Sequence, residues 1–173
     1  MELKQIDKTL YKQRLNRFQA ALVAGLFVVG IGSSSLYISL FGAGDESNFI
    51  YNLAGVITAV IVAAIGFNIV KEKPYMIEIR YVWKLKQELN RIYRASKKLE
   101  AALTADDDSE LLSRALIVRY FSLHGSKHLY QLEDNTLTLD DLNTQIEAFD
   151  QRLETLGEAI STDDYRPELV DLL

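Results

Sequence analysis

The fold is decided by Ala20-Ala-Leu-Val-Ala-Gly-Leu-Phe-Val-Val-Gly-Ile-Gly-Ser-Ser-Ser-Leu-Tyr-Ile-Ser-Leu-Phe41 and its neighbour Phe49-Ile-Tyr-Asn-Leu-Ala-Gly-Val-Ile-Thr-Ala-Val-Ile-Val-Ala-Ala-Ile-Gly-Phe-Asn-Ile-Val70. Each run holds 22 residues without Asp, Glu, Lys, Arg or His. At ~1.5 Å rise per residue such a helix is ~33 Å long, enough to cross a hydrocarbon layer of roughly 30 Å. A buried helix in a soluble domain needs only about 10–14 apolar residues, and the rest of this chain is too charged to enclose two longer ones. The bases Lys4, Lys8, Lys12, Arg14 and Arg17 precede the first run, as they would in a secretory signal. That run exceeds the roughly 7–15 apolar residues of a signal, and Phe41-Gly42-Ala43 puts a bulky ring where cleavage needs a small residue. The pair reads as an uncleaved transmembrane hairpin.

Charge orients it. Residues 1–17 carry five bases against two acids, and the loop 42–48 carries only Asp45 and Glu46. Residues 71–103 carry nine bases against four acids, and residues 104–173 carry five against sixteen. Bases close to membrane ends are retained on the cytoplasmic side, whereas acids contribute little. Both termini are therefore expected in the cytoplasm. The expected organisation is a basic juxtamembrane segment 1–19, a hairpin 20–70 with spans 20–41 and 49–70, and a cytoplasmic helical domain 71–173. Leu10, Tyr11, Leu15 and Phe18 suggest a short juxtamembrane helix in the first segment. Tyr37, Phe41, Phe49 and Tyr51 fit an aromatic belt beside the outer loop, with Tyr11, Phe18 and Tyr75 as inner counterparts.

Small residues recur every fourth position, at Ala21 and Gly25 and at Gly55, Ala59 and Ala63. Such faces let helices approach closely in lipid, either closing the hairpin on itself or joining copies into a homo-oligomer. Ser33, Ser34, Ser35, Asn52, Thr58 and Asn68 are polar but not ionisable, which argues against an ion or proton pathway. A loop of seven residues is too short for an outer domain.

Pro74 suits the first turn of a new helix. Beyond it Val82, Leu85, Leu89, Ile92, Ser96, Leu99 and Leu103 are spaced alternately by three and four, a heptad seam with one polar position. Arg80, Lys84, Arg91, Arg94 and Lys98 fall in one arc opposite it. Thr104 to Ser109 separates this helix from the next, with Asp106-Asp107-Asp108 where a helix dipole favours acids. A second helix is expected over 110–123, ended by a break at His124-Gly125-Ser126. Thr138 is an expected N-cap with Asp141 three residues on. Leu139, Leu142, Ile146, Phe149, Leu153, Leu156 and Ile160 then form a second seam flanked by Glu147, Asp150, Glu154 and Glu158, with Gly157 weakening its last turn. The basic and acidic seams are expected to pack on each other, with 111–123 as a third helix.

Little in the chain nominates chemistry. It has no cysteine, which removes thiol nucleophiles and thiolate metal sites. His124 and His128 share a helix face at i, i+4, but no Glu lies between them in a zinc-protease pattern. The three consecutive aspartates lack the alternation, Gly and distal Glu of a calcium loop. No phosphate-binding or dinucleotide-binding glycine loop and no nucleophile elbow occurs. The expectation is no catalytic, cofactor or metal residue and no nucleic-acid binding, since the −11 segment repels phosphates. Arg80, Lys84, Arg91, Arg94 and Lys98 remain as candidate contacts with anionic lipid or a protein partner.

The stretches Lys8-Thr-Leu-Tyr-Lys-Gln-Arg-Leu-Asn-Arg17, Val82-Trp-Lys-Leu-Lys-Gln-Glu-Leu-Asn-Arg-Ile-Tyr-Arg94 and Leu132-Glu-Asp-Asn-Thr-Leu-Thr-Leu-Asp-Asp-Leu142 resemble a bacterial domain-of-unknown-function family. The resemblance implies a two-span inner-membrane protein with a helical cytoplasmic part, and brings no activity. The fold expected is all-α: a transmembrane helical hairpin plus a cytoplasmic bundle with coiled-coil-like heptad seams. The role expected is a non-enzymatic membrane-tethered interaction or scaffold module. The alternative is a subunit of a small oligomeric channel or transporter.

Overall fold

A computed structural model describes residues 1–42, 47–104 and 109–173. The loop acids Asp45 and Glu46 and the helix start expected at Asp106-Asp107-Asp108 lie outside the described residues. The described chain is helical, and divides into one compact unit of residues 7–80 and another of residues 1–6 with 81–173.

The hairpin unit is built on α1 (Lys8–Phe41) and α2 (Phe49–Val70). The short juxtamembrane helix expected from sequence is not separate: α1 runs 34 residues without interruption, ~51 Å at ~1.5 Å per residue. No glycine or proline interrupts the first turns, and the Asp7 carboxylate caps them by accepting from the Leu10 N–H at 3.0 Å. The two helices meet tightly at Gly55. A Cβ there would lie 2.8 Å from the Gly30 carbonyl oxygen and 2.0 Å from Ser34 Oγ, so only glycine permits this crossing. Ala59 is buried next to it, and Tyr37 Oη meets Thr58 Oγ1 at 3.0 Å. Gly25 does not close the hairpin on itself, one of the two roles expected of its face: it fronts open space, as does Gly66.

Below the crossing, α1 is fastened to the turn that follows α2. Arg14 donates to the carbonyls of Pro74 at 3.2 Å and Tyr75 at 3.4 Å, and pairs with Glu78. The Tyr75 hydroxyl returns a bond to the Arg14 carbonyl at 2.9 Å, and its ring lies under the guanidinium at 5.4 Å. Pro74 opens a 3-10 turn to Met76, as its fixed φ favours.

The bundle unit holds most of α3 (Ile77–Arg94), α4 (Ser96–Leu103), α5 (Ser109–Glu133) and α6 (Leu139–Leu156). The helix expected to run unbroken to Leu103 steps at Ala95, whose N–H is shared between the carbonyls of Arg91 and Ile92. The seam survives the step: Val82, Leu85, Ile92, Leu99 and Leu103 are all buried. The break expected at His124-Gly125-Ser126 does not occur, and α5 continues for 25 residues. Gly125 is there for space rather than for a turn. A Cβ on it would come 3.2 Å from Leu89 Cδ2 and 3.5 Å from Leu85 Cδ1. Ala115, Leu116, Val118, Phe121, Leu123, Leu129 and Leu132 are buried, and at about 100° per residue they cover more than half the circumference of α5. Accordingly α4 and α6 each pack on α5, in place of the direct pairing of basic and acidic helices expected from sequence. Arg152 on α6 bonds the Leu103 carbonyl at 2.6 Å.

Thr138 occupies the N-cap position of α6, but its side chain makes no cap bond. Leu142, Ile146, Phe149 and Leu153 are buried, whereas Leu156 is half exposed. Gly157 ends the helix in the left-handed region at φ 70°. The tail then returns to the bundle through 3-10 turns Thr162–Asp164 and Pro167–Val170. Tyr165 has no exposed surface and stacks on Phe121 with ring centroids 3.9 Å apart.

Candidate interaction surface

On the outer face of α3, Trp83, Lys84, Arg91 and Arg94 occupy an arc of about 100°. Trp83 is 57% exposed although it is the only tryptophan of the chain. An indole left in water on a basic face is unusual, because exposed tryptophan and arginine concentrate at contact surfaces. Periodicity selected the bases and passed over Trp83, since its position is simply off the seam. A large aromatic in a polar arc was the available signal.

The five bases singled out by sequence have different fates. Arg80 belongs to the hairpin unit, where it pairs with Glu72 and reaches the Lys71 carbonyl at 3.4 Å. Arg91 is engaged by Asp171 at 2.5 Å and Glu88 at 3.3 Å, and the Asp171 bond raises its already high pKa. Glu88 also accepts from the Tyr165 hydroxyl at 2.5 Å. Burial first, and this bond second, push that phenol far above its ordinary range. The network ties the tail to α3 and occupies the middle of the basic face. Lys84, Arg94 and Lys98 are exposed. Arg94 and Lys98 border a shallow cleft of about 370 Å³ with Lys97, Val170 and Asp171.

His124 and His128 lie on α5 away from this face. His124 stacks on Tyr120 at 4.2 Å, and His128 meets the edge of Tyr81 at 6.0 Å. The Tyr81 hydroxyl also accepts from the Lys4 N–H at 2.8 Å, bringing the N-terminal residues onto the bundle unit. Both Nε2 atoms are buried without a hydrogen-bond partner, and burial lowers both imidazole pKa values. No group of three or more His, Asp or Glu side chains is placed to hold a metal ion among the described residues.

A model of the family described as "Protein of unknown function (DUF3087)" matches residues 1–170. The chain belongs to the DUF3087 family. Comparison with curated proteins and with solved structures returns no match. In this DUF3087 chain, α1 and α2 are each long and apolar enough to cross a membrane.

Proposed function

We propose that this DUF3087 protein is a non-enzymatic interaction or scaffold module tethered in a bacterial inner membrane, with both termini cytoplasmic. The hairpin supplies the anchor, and the outer face of α3 and α4 supplies the contact surface. The anchoring argument is one of cover. The most apolar window of α1 has no buried residue, and that of α2 has 11% buried. A core helix would be enclosed by its own chain; these are not, which supports lipid as the surrounding apolar phase. The bases around Arg14, Arg17, Lys71 and Lys73 orient the anchor.

The observation that carries the functional reading is Trp83 exposed among Lys84, Arg91 and Arg94. The sole tryptophan makes it directly testable. A photo-crosslinking amino acid at Trp83 in intact membranes should recover a distinct protein adduct. Combined Lys84→Gln, Arg94→Gln and Lys98→Gln should weaken that adduct several-fold. Adducts with lipid alone, or none above a control site at Glu154, would defeat the reading.

A further inference from the structure

The hairpin leaves a space that its own side chains do not fill. On the Val70 side of the tight crossing at Gly55, an open cleft of about 490 Å³ runs between the helices, with Phe18 and Phe67 meeting at 6.1 Å on its wall. Ala21, Gly25, Ala63 and Gly66 line it, and nothing stands within 4 Å of where a Cβ on either glycine would project. Its wall is apolar along its length and ends at Arg17. From Arg17 to Val29 it follows a stretch of α1 about twelve residue steps long, ~18 Å at ~1.5 Å per residue. One leaflet of hydrocarbon is roughly 15 Å deep, half of the full layer.

We propose that this cleft seats an acyl chain of an anionic glycerophospholipid of the inner leaflet, whose phosphate is held by Arg17. The inference rests on the hairpin being in a membrane and goes beyond it. Three observations select this occupant. Empty space in hydrocarbon forfeits contacts on both walls, so the cleft is filled by whatever apolar matter surrounds it. Its depth matches one leaflet, as a lipid tail does. A second groove, bordered by Phe27, Gly30, Ile31 and Ser34, lies further along α1 and shares Leu26 with the first. At about 100° per residue it faces the opposite side, so no single neighbouring helix follows both. Finally, the polar end is cationic. Arg14 is committed to Glu78 and to backbone carbonyls, whereas Arg17 is exposed at the mouth of the cleft. A guanidinium binds phosphate through paired N–H donors, a geometry suited to a headgroup.

Native mass spectrometry of the full chain, extracted in mild detergent, tests this. The wild-type chain should retain one anionic phospholipid. Arg17→Gln should reduce that retention about fivefold, the scale of one base at an anionic leaflet. Combined Gly25→Leu and Gly66→Leu, which place side chains into open space, should abolish retention of any headgroup class while the chain still sediments with membranes. Retention unchanged in the leucine variant would overturn the proposal, as would a wild-type chain released without lipid. Because the chain has no cysteine, Gly25→Cys offers a further check: efficient disulfide linkage of two copies would show a second helix in the cleft instead. A wild-type chain found in the supernatant of detergent-free lysates would overturn the membrane reading itself, a result separable from loss of lipid alone.

Discussion

Partial burial of an imidazole penalises its charged form. His124 and His128 are both in that position: burial lowers their pKa values from the ordinary 6.5. Smaller influences come from Asp150 on α6, which raises that of His124, and Lys127, which lowers it; the Lys4 backbone raises that of His128. The unfolded chain therefore binds these protons at higher pH than the folded one does. Stability from the pair is fully present above about pH 6.5 and is lost as pH falls below it toward the folded values. The melting temperature of the detergent-solubilised chain should fall between pH 7.5 and pH 5. His124→Phe combined with His128→Phe should show a smaller fall over the same range, and equal falls would exclude the histidines as the cause. At this scale the sequence was only partly legible. The charged arc of α3 could be read from spacing, because solvated bases must sit opposite a buried seam. Tyr165 could not, because a residue in a tail of 3-10 turns has no periodicity to betray its burial against Phe121.

Gly125 shows what spacing can and cannot tell about an element. Glycine after histidine and before serine reads as a helix break because glycine carries the backbone entropy of a turn former. In α5 it is buried, and the missing Cβ admits Leu85 and Leu89 of α3. Gly125→Ala gains helix propensity of about 1 kcal/mol, but its Cβ would sit 3.2 Å from Leu89 Cδ2, so the net change should be small. Gly125→Leu has no such compensation and should destabilise the bundle by about 1–3 kcal/mol through overpacking. Chemical denaturation followed by circular dichroism measures both. A leucine variant as stable as the wild type would mean that α3 and α5 can separate freely at this point. The seams of α3 and α6 were legible from apolar spacing alone, since burial on one face imposes it. The continuity of α1 was not, because its polar and apolar portions share one uninterrupted backbone ladder and hydropathy sees only the change of composition. Nor was the partner of each seam, which spacing does not encode: α5, buried over more than half its circumference, takes α4 and α6.

For the molecule as a whole, the orientation follows from where the bases can go. Carrying Lys71, Lys73 and the nine-base segment through lipid would expose several charges to hydrocarbon, each costing about 2.5–3.5 kcal/mol at a helix centre on the insertion scale. Passing the seven-residue loop across needs only Asp45 and Glu46 to follow. The orientation we propose, which has the lower barrier, puts Ser47 outside and Leu172, which is 54% exposed, inside. Since the native chain has no thiol, single Ser47→Cys and Leu172→Cys variants report this without background. A membrane-impermeant maleimide added to intact spheroplasts should label the first variant and leave the second unlabelled until the cells are opened. Labelling of Leu172→Cys from outside would invert the hairpin, and with it the side of the membrane on which the contact surface proposed around Trp83 would lie.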